Sequence, residues 1–147
     1  MQFAFYKAHG ASANIWDKLI SLWENGPYAH CEVILSGPDD KGLYEIASSK
    51  PGKGQGVRIT YSALPTEDWD IIESPGNEAA VRQWFVDNAG KVYDYLGLVG
   101  FIFRPVPDDK EKYFCSEAIG NALGIKDAWR YDPNSLYSLL QYINVAK

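Results

Sequence analysis

Two cysteines and two histidines are all that this 147-residue chain has of the side chains most used for nucleophilic and metal chemistry. Two cysteines, Cys31 and Cys115, are too few for a disulfide framework or a cysteine-built zinc site. A protein of a reducing compartment is expected, with no metal and no cofactor. No apolar run reaches the roughly 18 residues of a membrane-spanning helix. The opening MQFAFYKAHG has no basic start followed by an apolar stretch. A secretion signal is therefore not read, and the default location is cytoplasmic. A basic excess is also missing: the net charge is −5 and the lysines and arginines are scattered. Nucleic acid is thus a poor candidate partner.

What the chain does have is apolar and aromatic residues. The former make up 46%, and there are 10 Tyr, 6 Phe and 5 Trp. That is enough for a core in one domain over residues 1–147. Residues 2–8 read as a first strand, broken by His9-Gly10. A helix is expected over 15–24, with Ile15, Leu19, Leu22 and Trp23 at helical spacing before Asn25-Gly26-Pro27 stops it. Strands follow at 29–35, 42–48, 57–61 and 69–73, the first two joined by the turn-forming Ser36-Gly37-Pro38-Asp39-Asp40. Residues 49–56 read as a flexible loop. Asn77 is placed to cap a helix over 78–88 with Val81, Trp84 and Phe85 inward. Residues 94–103 are apolar but interrupted by Gly97 and Gly100, and 104–112 form a charged loop. Two helices close the chain, one over 115–123 ending at Gly124 and one from Pro133-Asn134-Ser135 carrying Leu136, Leu139, Leu140 and Ile143. A block of strands followed mainly by helices predicts an α+β fold with an antiparallel sheet of about five strands.

Cys115 lies at the start of a predicted helix. There the unpaired N–H groups and the positive end of the helix dipole favour thiolate, the nucleophilic form. The competing reading is a small buried hydrophobe. Cys31 lies mid-strand among apolar residues and reads as structural. His30 opens the same strand and is the natural base, whereas His9 sits beside a glycine where a turn is expected. Two acids could orient His30. Glu32 lies two residues on and shares its strand face. Glu45, on the next strand, shares that face only if the hairpin pairs odd with even residue numbers; a pairing of like parity throws it to the other face. The residues alone leave that choice open. The glycines of the 49–56 loop do not form a phosphate-binding pattern.

The order of these parts resembles the circularly permuted branch of the NlpC superfamily of papain-like cysteine hydrolases. The likeness is carried by Tyr28-Ala29-His30-Cys31-Glu32-Val33-Ile34-Leu35, then Leu43-Tyr44-Glu45-Ile46-Ala47. Far downstream come Tyr93-Asp94-Tyr95-Leu96-Gly97-Leu98 and Phe114-Cys115-Ser116-Glu117-Ala118-Ile119. It covers residues 28 to 123. In this branch the histidine strand precedes the cysteine helix. The resemblance implies a papain-like Cys–His–polar triad with Cys115 as nucleophile, His30 as base and Glu45 as the third member. Tyr28 is a further candidate for lining the site. The residue after the histidine is a departure: the branch has a small aliphatic where this chain has Cys31. The implied activity is that of a peptidase or amidase acting through a thioester, with a peptide or cell-wall peptide as substrate. Lipid-ester hydrolysis or acyl transfer on a lipid-derived substrate is the alternative enzyme, and a catalytically silent binding domain the alternative to an enzyme.

Overall fold

A computed structural model describes residues 1–8, 26–52, 56–93 and 112–146. Five antiparallel strands form one sheet in the order β4-β3-β2-β1-β5. They are β1 (Gln2–Lys7), β2 (Tyr28–Ser36), β3 (Tyr44–Lys50), β4 (Gly56–Ser62) and β5 (Trp69–Glu73). Helix α1 (Glu78–Asp87) follows, then a two-residue parallel ladder of β6 (Val92–Tyr93) with β7 (Lys112–Tyr113). Helix α2 (Cys115–Ala122), a 3-10 turn (Ala128–Arg130) and helix α3 (Pro133–Val145) complete the described chain. The α+β class and the antiparallel sheet are as the sequence predicts. Residues 15–24, His9, 94–103 and 104–111, for which the sequence carries expectations, lie outside the described residues, as does the centre of the 49–56 loop. The ends of that loop are strand instead: Ser49 and Lys50 belong to β3 and Gly56 to β4. The β6–β7 ladder is too short to leave a periodic signal in sequence.

The helices start where their caps dictate. The Asn77 side chain accepts from the N–H of Ala80 at 3.1 Å, and Asp132 accepts from Ser135 at 2.7 Å with Pro133 in the first turn of α3. Gly124, at φ 74°, follows the end of α2 in a conformation that favours glycine.

The sheet has two unequal faces. On the helix side, Phe3, Phe5, Cys31, Val33, Ala47 and Val57 meet Val81 and Phe85 of α1, Ala118 and Ile119 of α2, and Leu136 and Leu140 of α3. Burying each large side chain contributes roughly 1.5–3 kcal/mol, so this layer holds the fold together. The other face carries a small cluster of Ala4, Ile34, Ile46 and Leu64, flanked by Tyr44 and Trp69. Ile143 of α3 is 36% exposed, and Trp84, expected inward, is only partly buried. Among the described residues, no helix is long and apolar enough to cross a membrane.

Two features set the height of β2 against the helices. The Asn134 side chain brackets Tyr28, accepting from its N–H at 2.9 Å and donating to its carbonyl at 3.0 Å. Gly26 lies so close to that amide that a Cβ would collide with it, so the approach to β2 requires glycine. In addition, β2 is bulged at Ala29: Tyr6 faces His30 but Lys7 faces Tyr28.

Candidate active site

Helix α2 starts against the end of the β2–β3 ladder. Pairing between these strands runs from Ser36–Glu45 to Val33–Ala47. Beyond it, side chains take over from the backbone. Ser48 Oγ donates to the Cys31 carbonyl at 2.7 Å, and Ser49 Oγ donates to the Tyr113 carbonyl at 2.5 Å. The second bond ties β3 to the residues leading into α2. Glu117 accepts from the Phe114 N–H at 3.3 Å, and Ser116 Oγ donates to the Tyr131 carbonyl at 2.7 Å. Cys115 is thereby fixed as the first residue of the helix, where its own N–H has no acceptor within the helix.

Cys115 and His30 meet there. The Cys115 thiol is held well below its ordinary pKa, foremost by a hydrogen bond from the Cys31 thiol, then by the charge and hydrogen bond of His30 and by the Cys31 N–H; burial opposes them. Burial would depress His30. The Cys115 thiolate and the Glu32 carboxylate outweigh it and push the imidazole up to about 9. Both shifts favour a thiolate beside an imidazolium.

Glu32, not Glu45, is the acid at the histidine. His30 Nε2 lies 2.8 Å from Glu32 Oε1, and Arg58 Nη2 donates to the same oxygen at 2.8 Å. The Glu32 side chain is only 3% exposed. Burial alone would raise its carboxyl, but His30 and Arg58 hold it below its ordinary value. Among the described residues, Glu32 Oε2 and Arg58 Nη1 are buried without a hydrogen-bond partner. The carboxylate is thus held by one oxygen, shared between the imidazole and the guanidinium.

The expectation for Glu45 is corrected by the register. Val33 faces Ala47 and Ile34 faces Ile46, a pairing of like parity. Alternation then sends Glu45 to the helix side with Ala47, while Glu32 lies on the other face with Ile34 and Ile46. On the helix side, Arg82 of α1 holds Glu45 with both guanidinium nitrogens, at 2.9 and 2.6 Å, and lowers its pKa. A bulge before Ser36 shifts the register only at Glu45 itself, far along the hairpin from His30.

Tyr28 is also displaced from its expected role. The bulge at Ala29 puts its ring on the helix side, against Phe5 and Tyr137. Its hydroxyl donates to Asp70 at 2.8 Å, and burial with the bonds to Tyr137 and Asp70 raises its pKa. It anchors the strand from below the histidine. Cys31, read as structural, is fully buried as expected, yet its thiol and N–H both reach Cys115. Arg58 was absent from the candidate residues. Its one signal in sequence is a lone charge in an otherwise uncharged strand. Trp69 stands edge-on to His30 with ring centroids 6.3 Å apart. No group of three or more metal-ligating side chains is found among the described residues. Compared with protein-family models, with curated proteins and with solved structures, the chain matches none of them.

Proposed function

We propose that this protein is a papain-like cysteine hydrolase that cleaves an amide bond, in a peptide or cell-wall peptide, through a thioester acyl-enzyme. The observation that carries the reading is the run Cys115–His30–Glu32 at the first residue of a helix, with the thiol driven toward thiolate and the imidazole toward imidazolium. With Nε2 taken by Glu32, His30 has Nδ1 left for the sulfur. The thiolate attacks the carbonyl carbon, and the backbone N–H of Cys115 faces the oxyanion that forms. The intermediate collapses as His30 gives its proton to the departing amine. The neutral imidazole then takes a proton from water, which attacks the thioester and releases the acid and the thiolate. Glu32 keeps the ring oriented and stabilises its charged form.

An amide suits this site for a physical reason. An amine is a poor leaving group unless protonated, and a histidine held charged up to about 9 has that proton ready at neutral pH. Incubation with cell-wall peptides, followed by detection of new amino groups, is expected to give turnover with the native chain and none with Cys115→Ala. Turnover by Cys115→Ala at the native rate would sink the proposal.

A further inference from the structure

Cys31 favours the Cys115 thiolate but exchanges no bond in that mechanism, yet it is the side chain closest in chemistry to the nucleophile. Neither cysteine is in a disulfide. Both belong to the same apolar cluster, with Cys31 0% and Cys115 4% exposed. Helix α2 packs directly on β2 here, and a hydrogen bond joins the two side chains. Cys31 cannot drift away. Its carbonyl is held by Ser48, and the backbone at this point is paired with Phe5 of β1. An alanine or valine would fill the core as well, but could not react with the neighbouring sulfur.

We propose that Cys31 is a resolving thiol: a hydroperoxide that oxidises Cys115 is answered by an intramolecular Cys31–Cys115 disulfide. In the first step the Cys115 thiolate attacks the peroxide and forms an S–O bond. The O–O bond breaks, and the departing hydroxide takes up a proton. Cys115 is then a sulfenic acid. In the second step the Cys31 sulfur, giving up its proton, attacks the Cys115 sulfur. An S–S bond forms, the S–O bond breaks and water leaves. Two electrons pass from the thiol pair to the peroxide, and thiol reductants return them. The burial of Cys31 favours this pairing over a disulfide between two chains. The proposal needs only a reactive Cys115 thiolate, so it goes beyond the hydrolase reading and does not depend on a substrate.

The test treats the full chain with hydrogen peroxide, blocks remaining thiols with iodoacetamide, and reads intact mass and non-reduced peptides. The native chain is expected to lose two hydrogens, to yield a Cys31–Cys115 linked peptide, and to regain both thiols with dithiothreitol. Cys31→Ala, with Cys31→Ser as a second variant that better keeps the side chain's volume, is expected to accumulate Cys115 with two or three added oxygens that dithiothreitol does not remove. The proposal is overturned if native Cys115 over-oxidises as fast as in these variants while Cys31 stays open to iodoacetamide, or if the disulfide joins two chains. Iodoacetamide without peroxide reads the thiolate by itself. Rapid labelling of Cys115 with no later disulfide removes the Cys31 proposal alone, whereas a Cys115 inert to both reagents removes the nucleophile as well.

Discussion

The hairpin of β2 and β3 carries two glutamate–arginine pairs at its two ends, and they are built for different work. At one end Glu45 is gripped by two nitrogens of Arg82, whose side chain is 39% exposed. Both carboxylate oxygens are satisfied, and water reaches the pair. At the other end Glu32 is buried, one oxygen serves both His30 and Arg58, and the second oxygen has no partner among the described residues. By the count of hydrogen bonds the first pair is the better made. By burial the second has the stronger electrostatic effect, because the medium around it screens less. An exposed, well-satisfied pair fastens a helix to a sheet. A buried, incompletely satisfied one acts on its neighbour's proton.

Exchanging the acids for amides separates these roles most widely. Glu32→Gln is expected to lower kcat/KM roughly 10²- to 10⁴-fold, because the imidazole loses its orienting charge. Glu45→Gln should stay within about twofold of the native rate. Equal losses in the two variants would erase the distinction. The arginines give the next contrast, now in stability measured by denaturant unfolding. Arg58→Met leaves the buried Glu32 carboxylate with His30 alone and is expected to cost roughly 3 kcal/mol, the low end for breaking a buried pair. Arg82→Met should cost about 0–1 kcal/mol, as for exposed pairs. The smallest effect lies in the pH profile. Both Cys115 and Glu32 raise His30, so the alkaline limb of kcat/KM is expected near 9, where the imidazolium is lost. Removing the Glu32 charge removes one of those two influences. The alkaline limb of the residual activity of Glu32→Gln should therefore move to lower pH, whereas that of Glu45→Gln should not move.

The same comparison marks what could be read from sequence. The five strands of the main sheet and the described helices announce themselves through period, caps and turn residues, and Cys115 and His30 through their positions at a helix start and a strand start. The choice of acid did not follow, because it depends on a register that neither strand specifies by itself. Here β1 pairs along β2, bulges interrupt the ladder at Ala29 and before Ser36, and Arg82 from a helix 37 residues downstream captures Glu45. Local pattern carries none of these. Arg58 escaped notice for the same reason: its partner lies across β3, two strands away in the sheet. Cys31 was read correctly as buried, but burial alone did not say which sulfur it was buried against.

The Asn134 bracket on Tyr28 also has a consequence in time. The strand that bears the histidine is synthesised early, and the amide that holds its first residue arrives 106 residues later. Contacts of such sequence separation form late, since the loop between them must first be closed. A nascent chain that has already made β2, β3 and even the cysteine helix still lacks the clamp that seats β2. The seat of β2 against the helices is therefore set only once Asn134 has been made.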